Sequence, residues 1–128
     1  MPSSIIPPGL EGYVTDWQMS PGLDHGGFIF MSGFTGASAG GVLSQNAGEQ
    51  IEAAFEKIQL VLEEAGLGFE HLLEMTSYHI GLRDHLEVFK AIRTRYVTPP
   101  YPAWTAIEVA GFVRQGAIVE LKCVARRS

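Results

Sequence analysis

Apolar and polar positions alternate with two different periods along this chain, and each period predicts a kind of secondary structure. The longest helical pattern covers residues 51 to 65, where apolar side chains recur every three or four positions. Asn46 and Glu49 have the spacing of a capping box, and Gly66 supplies a C-terminal stop. The polar side chains of this stretch are predicted to face away from the core: Glu52, Glu56, Lys57, Gln59 and Glu63.

A second helical pattern follows after a short extended segment. Asp84 and Glu87 repeat the capping spacing, and Pro99 and Pro100 must end the helix because proline lacks the N–H that the helix needs. The predicted inner stripe consists of Leu86, Phe89, Ile92 and Tyr96.

Alternating or β-branched runs predict five extended segments, at residues 13–19, 28–32, 73–80, 104–111 and 117–126. The turn-rich sequence SPGLDHGG is predicted to join the first two in a hairpin, and residues 111–116 to join the last two in another. Residues 1–12, with three prolines and two glycines, are predicted to form an extended arm.

This order of elements predicts one domain over residues 1–128, of the α+β class, with the helices on one face of a mixed sheet. The other face of the sheet is predicted to be semi-apolar, because small apolar residues share its alternation with charged ones: Ala106, Ala110 and Val124 with Glu108, Glu120 and Lys122. Such a face in a small domain favours burial against other subunits.

The charge and cysteine content of the chain indicate which binding partners and which cell compartment to expect. The chain has 9 Lys plus Arg against 14 Asp plus Glu, a net charge of −5 without a basic block, which disfavours nucleic acid as a partner. Cys123 is the single cysteine, so an intrachain disulfide is excluded and the cytoplasm is the expected location. No run approaches the roughly 20 apolar residues of a membrane span, and the N-terminus, which lacks a charged region and a long apolar core, is not expected to be a signal peptide.

Most motifs that could carry chemistry are weak. The loop GFTGASAGG, residues 33–41, lacks the lysine of a P-loop, and the four histidines lack metal-ligand spacing. His79 lies on an interior strand beside Tyr78, where a hydrogen-bonded structural role is favoured over a catalytic one. Ser32 has no nucleophile elbow around it, and Cys123 is predicted to be a buried, inert thiol.

Glu120 is the strongest single candidate, because a carboxylate on a semi-apolar face is costly to bury unless it has a partner or orients a water molecule. The predicted C-terminal hairpin would bring its neighbours from residues 104–108, namely Trp104, Thr105 or Glu108. Trp104 stands where a rigid proline-rich turn, YPAW, becomes a strand, and either core packing or a binding site would explain it.

Several stretches taken together make the chain resemble the Rid family, also called YjgF/YER057c/UK114 and often labelled endoribonuclease L-PSP. The resemblance covers roughly residues 13–126 and is carried by IFMSGFTG, by Gln50, Phe55, Lys57 and Ile58, and by LEEAGLGFEHLLEMTSYHIGLRDH, YPAWTAIEVAGF and IVELKCVA. It implies a chorismate-mutase-like protomer, three copies of which close a barrel with small-molecule clefts between neighbours. It also implies hydrolysis of reactive enamines and imines to a carbonyl compound and ammonia, with no cofactor or metal.

Site residues follow from the resemblance position by position. Trp104 stands where the family has a carboxylate-clamping arginine, so a larger or less anionic ligand is expected. Glu120 matches the water-orienting glutamate, Trp17 an aromatic pocket residue, and Ser32 with Gly33 the backbone that lines the cleft. Lys90 stands where several members have an asparagine, although it also fits a solvated helix lysine. Thr105, beside Trp104, and Tyr78, on the interior strand, are further candidates for ligand contact by their positions rather than by the resemblance.

Two other functions remain open at this level. A ligand-binding or regulatory trimer would have kept the cleft and lost the reaction. The ribonuclease activity attached to some family members is disfavoured by the acidic charge.

Overall fold

The structure is a computed structural model that describes all 128 residues. Three α-helices and one short 3-10 turn (Phe69–His71) accompany seven strands. The helices are α1 (Gly12–Trp17), α2 (Ala47–Glu64) and α3 (Leu82–Thr94). The strands are β1 (Ser3–Ile5), β2 (Gly22–His25), β3 (Phe28–Met31), β4 (Phe34–Thr35), β5 (Leu72–His79), β6 (Ala103–Glu108) and β7 (Val119–Arg126).

All seven strands form a single mixed sheet in the order β1-β2-β3-β7-β5-β6, with β4 pairing on β7. Only the β5–β6 pair is parallel. Helix α2 packs against β4 and β7, and also against α3, which in turn contacts β6. The core between these layers contains 21 buried apolar residues, and the predicted α+β fold with helices on one face of a mixed sheet is confirmed.

Helix α2 begins and ends as its sequence predicts. The Asn46 side chain accepts a 3.0 Å hydrogen bond from the backbone N–H of Glu49. Gly66 has a φ of +76°, the left-handed conformation that favours glycine after a helix. At 18 residues this helix is the longest, and no helix is long and apolar enough to cross a bilayer.

One predicted polar position of α2 is wrong. Lys57 is 2% exposed, although it was expected to face solvent. Gln50, seven residues earlier, is 3% exposed on the same stripe, and its side chain bonds the backbone of Ser44, Gly116 and Ile118. A spacing of seven residues keeps both side chains on the face that packs on the sheet, so the apolar stripe of α2 has two polar members.

The N-terminal strand prediction is also wrong. Residues 12–17 form α1 instead of a strand. The first hairpin is β2–β3, in which β2 lies within SPGLDHGG and β3 follows it directly. Its turn uses Gly26 and Gly27 with φ of +63° and +85°, which suits the twist of a two-residue hairpin. The helix owes its place to tertiary packing, since the Tyr13 ring packs edge-on against Phe34 with centroids 5.4 Å apart. Within the predicted arm, Ser3–Ile5 pairs with β2 as an edge strand.

The predicted C-terminal hairpin does not form, because β5 lies between β6 and β7. Residues 72–108 instead make a β-α-β unit, in which a helix carries the chain from β5 to the parallel neighbour β6. Trp104 pairs with Met75 in this register, which places Trp104, Ala106 and Glu108 on the helix side of the sheet. Glu120 is on the opposite side, so these residues are not its neighbours.

Helix α3 begins three residues earlier than its capping pattern indicates. Gly81 is the N-cap with a φ of +71°, and Asp84 lies in the first turn. The side chain that satisfies the helix N-terminus comes from β6, since the Glu108 carboxylate accepts hydrogen bonds from the N–H groups of Gly81 (3.0 Å) and Leu82 (2.7 Å). These bonds lower the pKa of Glu108.

Candidate functional site

A cavity of about 480 Å³ opens where α1, β4 and β7 meet two loops. Its size is in the range of small-molecule sites. It has an acidic, a basic and an aromatic component. The lining residues that matter for its chemistry are Tyr13, Asp16, Trp17, Gly33, Thr35, Lys57, Arg114 and Glu120.

Glu120 is a half-buried carboxylate in this cavity, and its side chain makes no hydrogen bond to the rest of the protein. Burial raises its pKa, and the positive charge of Lys57 opposes the rise. Gly33 makes the position possible, because a Cβ on this residue would lie 2.5 Å from Glu120 Oε2. The carboxylate oxygens are therefore available to a water molecule or a ligand.

Lys57 reaches the same cavity from α2. Its Nζ donates a hydrogen bond of 3.3 Å to the Tyr13 hydroxyl and lies 5.7 Å from the centre of the Phe34 ring. Burial lowers the pKa of Lys57 from 10.5 to about 8, Glu120 opposes this shift and Arg114 adds to it. Lys57 and Glu120 interact through space but do not form a contact ion pair.

The aromatic side of the cavity comes from α1. Trp17 is the last residue of this helix and is 59% exposed, so its indole is accessible to a ligand in the cavity. Tyr13 is half-buried, and burial followed by the charge of Glu120 raises its pKa. The site thus combines a carboxylate, an amine and a phenol beside an open indole.

Trp104 does not line this cavity. Its Nε1 donates a 2.8 Å hydrogen bond to Ser77 Oγ, its ring packs on Phe89 with centroids 5.7 Å apart, and the Arg93 guanidinium covers it at 4.3 Å. Ser77 Oγ is in turn 2.8 Å from His79 Nε2, on the helix side of the sheet. Trp104 is thus anchored to the core at the edge strand β6.

The remaining candidates are dispersed. Tyr78 pairs directly with Glu120 across β5 and β7 and shares its face of the sheet. Thr105 is exposed on that face, one strand further away. Ser32 donates to the Ser20 carbonyl at 2.7 Å and is not in the lining, unlike its neighbour Gly33. Lys90 is exposed on α3.

Sequence reasoning missed the amine, the phenol and the guanidinium of this cavity, namely Lys57, Tyr13 and Arg114. For Lys57 the signal was present, because its distance from Gln50 equals two turns of α2. Tyr13 belongs to a segment that was predicted to be a strand. No group of His, Cys, Asp or Glu side chains is arranged to hold a metal ion, and burial raises the pKa of the enclosed Cys123 thiol to about 12.

Burial of Lys57 predicts a specific pH dependence of stability. The pKa is 10.5 when the chain is unfolded and about 8 when it is folded, so the unfolded state binds more protons between these values. The free energy of unfolding of the wild type should therefore rise with pH, relative to Lys57→Met, by on the order of 2 kcal/mol between pH 7 and pH 10. Urea titrations of both proteins at several pH values measure this difference.

Groups that face Lys57 are common to both proteins in that comparison: Tyr13 and Asp16 from α1, Arg114 from the turn before β7, and Glu120. Their own titration largely cancels in the difference. A constant difference across this pH range would show that the amine is not desolvated.

Together, the fold and the cavity define a small α+β protein with a carboxylate and an amine that face one opening. The family model described as Endoribonuclease L-PSP matches residues 14–127. The RutC family protein YjgH of Escherichia coli K12 is 26% identical over 125 residues, which cover 97% of this chain and 94% of that protein. The chain belongs to the endoribonuclease L-PSP family, also known as the Rid or YjgF/YER057c/UK114 family.

Solved structures share the fold of this chain. The structure of protein YJGH has a TM-score of 0.86 at 26% identity, over 97% of this chain and 95% of that one. The yeast protein YEO7 has a TM-score of 0.89 at 17% identity over the whole of both chains. Rv2704 of Mycobacterium tuberculosis, described as a member of the YjgF/YER057c/UK114 family, has a TM-score of 0.83 at 16% identity and covers 99% of this chain and 100% of its own.

Proposed function

We propose that this protein hydrolyses small imines and enamines to a carbonyl compound and ammonia in the Glu120 cavity. The observation that carries the proposal is the state of Glu120: a half-buried carboxylate, with no hydrogen bond to the protein, in a cavity of small-molecule size. A base in that state is free to hold a water molecule. Membership in the Rid family supports this reaction class.

The chemistry requires only proton transfers. Glu120 takes a proton from a bound water as the water oxygen adds to the C=N carbon, and the nitrogen gains a proton. The resulting carbinolamine loses ammonia as its C–N bond breaks and the C=O bond forms. An enamine enters the same route after a proton adds to its carbon and turns it into an iminium ion. No metal or redox cofactor takes part.

The active form in this proposal is a homotrimer in the cytoplasm. Large apolar side chains on the open face of the sheet support assembly, since Phe28 is 37%, Phe30 46% and Ile107 42% exposed. Strand β6 is also an edge strand, so Trp104 and Thr105 are available to border the cavity of a neighbouring copy, and Lys90 is exposed on α3. Light scattering at micromolar concentration tests the trimer, and a clean monomer would contradict it.

The direct test is ammonia release. Imines are generated in the assay by an amino acid oxidase acting on aliphatic and aromatic amino acids and on uncharged amines, and the appearance of carbonyl product is compared with and without the protein. Acceleration above the spontaneous rate for at least one class is the expected result. No acceleration for any class would leave the second candidate, a ligand-binding or regulatory trimer.

Trp104→Arg tests whether Trp104 controls ligand choice, and the first expected effect of this substitution is on stability. The new guanidinium would lie beside that of Arg93, now 4.3 Å from the indole, and Ser77 would lose the N–H that it accepts. We expect Trp104→Arg alone to lower stability by roughly 1–3 kcal/mol and Arg93→Met to restore part of this loss in the double variant. Thermal unfolding of the single and double variants measures both effects.

Ligand preference is read from the same variants. Gain of keto-acid imine hydrolysis in the double variant would indicate that Trp104 selects against small anionic ligands. If the double variant is no more stable than Trp104→Arg, the repulsion between the two guanidinium groups is not the cause.

A further inference from the structure

Lys57 differs from the other lysines of the chain in its surroundings. The chain has three lysines, and Lys90 and Lys122 are exposed whereas Lys57 is 2% exposed. An ammonium group has three N–H donors, and the only hydrogen bond that Lys57 makes within the protein goes to the Tyr13 hydroxyl. Two donors of a buried amine are therefore without a protein partner.

A lysine with a purely structural role would be paired with a carboxylate, because an unpaired buried charge is costly. Lys57 has no contact ion pair, and the aromatic rings of Tyr13 and Phe34 lie beside its amino group. Tyr13 and Glu120 both line the cavity, so the amino end of Lys57 is the part that reaches it. This arrangement holds an amine in apolar surroundings at the wall of a cavity of about 480 Å³.

Such surroundings favour the neutral amine, which is the nucleophilic form. Desolvation in an apolar pocket and a nearby cation are the two means by which proteins activate lysine, and Arg114 supplies the second here. With the pKa lowered to about 8, an appreciable fraction of the Lys57 side chain is unprotonated at mildly alkaline pH.

We infer that Lys57 is a reactive amine that forms a reversible covalent imine with small aldehydes and keto acids that enter the cavity. This activity is separate from the release of ammonia and requires only that a carbonyl compound reach Lys57. The guanidinium of Arg114, in the same lining, suits ligands that carry a carboxylate next to the carbonyl group.

The step balances without an oxidant or reductant. The Nζ lone pair adds to the carbonyl carbon, and a proton passes from the nitrogen to the carbonyl oxygen to give a carbinolamine. Glu120 then relays the remaining proton of the nitrogen to the hydroxyl group, which leaves as water while the C=N bond forms. Addition of water to this imine runs the sequence in reverse and releases the carbonyl compound.

Reductive trapping tests the inference on the purified full-length protein. Glyoxylate is added with sodium cyanoborohydride, which converts an imine to a stable secondary amine, and peptide mapping by mass spectrometry locates the product. We expect Lys57 to be modified at least about tenfold faster than Lys90 and Lys122, with a rate that rises as pH passes through about 8. Benzaldehyde serves as a second probe without a carboxylate.

Two variants sharpen the result. Lys57→Met should abolish the fast modification. Glu120→Gln should slow it by roughly tenfold, because the carbinolamine hydroxyl group then has no side chain to relay a proton to it as it leaves. If Lys57→Met does not fold, the comparison of the three lysines in the wild type still decides the question. Modification of Lys57 no faster than of the two exposed lysines, at any pH from 7 to 9.5, overturns the inference.

Ammonia release is assayed on the same preparations, so the two proposals fail separately. Fast trapping at Lys57 without imine hydrolysis supports the inference and contradicts the proposed function. Imine hydrolysis without fast trapping at Lys57 supports the proposed function and contradicts the inference.

Discussion

Glu120→Gln is expected to lower the rate of ammonia release by about 100- to 10,000-fold, the usual contribution of a general base. The amide has nearly the same size as the carboxylate, but it does not take a proton from water. Because Glu120 makes no hydrogen bond to the protein, the substitution leaves no partner unsatisfied. The fold should therefore persist, and the loss should appear in kcat as well as in kcat/KM.

The pH profile gives an independent readout of the same residue. Activity of the wild type should fall on the acid side, as Glu120 gains a proton at a pH above the 4.5 of an ordinary glutamate. The residual activity of Glu120→Gln should lack this acid limb. Glu64→Gln, an exposed glutamate at the end of α2, is the matched control and should behave as the wild type.

Gly33→Ala probes the position of the carboxylate rather than its charge. Its Cβ would lie 2.5 Å from Glu120 Oε2, so the carboxylate must move, and we expect activity to fall with Glu120 still present.

If Glu120→Gln keeps its activity within twofold of the wild type, Glu120 is not the general base of the reaction.

Phe89→Ala is expected to cost about 3–5 kcal/mol of stability, the usual range for a buried phenylalanine. Phe89 is fully buried on the inner face of α3. Its ring packs against those of His79 (4.8 Å), Trp104 (5.7 Å) and Phe55 (5.8 Å). Truncation would leave a cavity at the point where α2, α3, β5 and β6 meet.

Urea unfolding measures this loss, and tryptophan fluorescence reports on the site, because the indole of Trp104 loses one of its two stacking partners. Val88→Ala, the adjacent residue at 36% exposed, is the control and should change stability by at most about 0.5–1 kcal/mol. A change below about 1 kcal/mol in Phe89→Ala would mean that the helices close over the gap.

Local patterns predicted the elements that carry their own signals. Helix α2 has both an apolar stripe and caps, and its limits match the structure to within a residue or two. Helix α3, β5 and β3 were found from the same kinds of pattern. The helix limits at Gly81 were missed because the capping carboxylate, Glu108, comes from a strand 26 residues away.

Pairing between distant segments was not predictable in this way. Strands β6 and β7 are consecutive in the sequence and joined by a turn, which is typical of a hairpin. In the sheet, however, β5 lies between them. An alternating pattern states which residues share a face of a strand, but it does not state which strand lies next to it. The neighbours assigned to Glu120 were wrong for this reason, and Tyr78 and Thr35 pair with it instead.

The sequence by itself determined the class of fold, the two long helices and the position of Glu120 as a carboxylate among apolar residues, since each depends on a local period or on one residue in an apolar run. Only the tertiary structure decided that Lys57 is buried beside the Glu120 cavity and that Trp104 is held by Ser77, Phe89 and Arg93. Burial and pKa depend on what other segments place around a side chain, and that arrangement exists only in the folded chain.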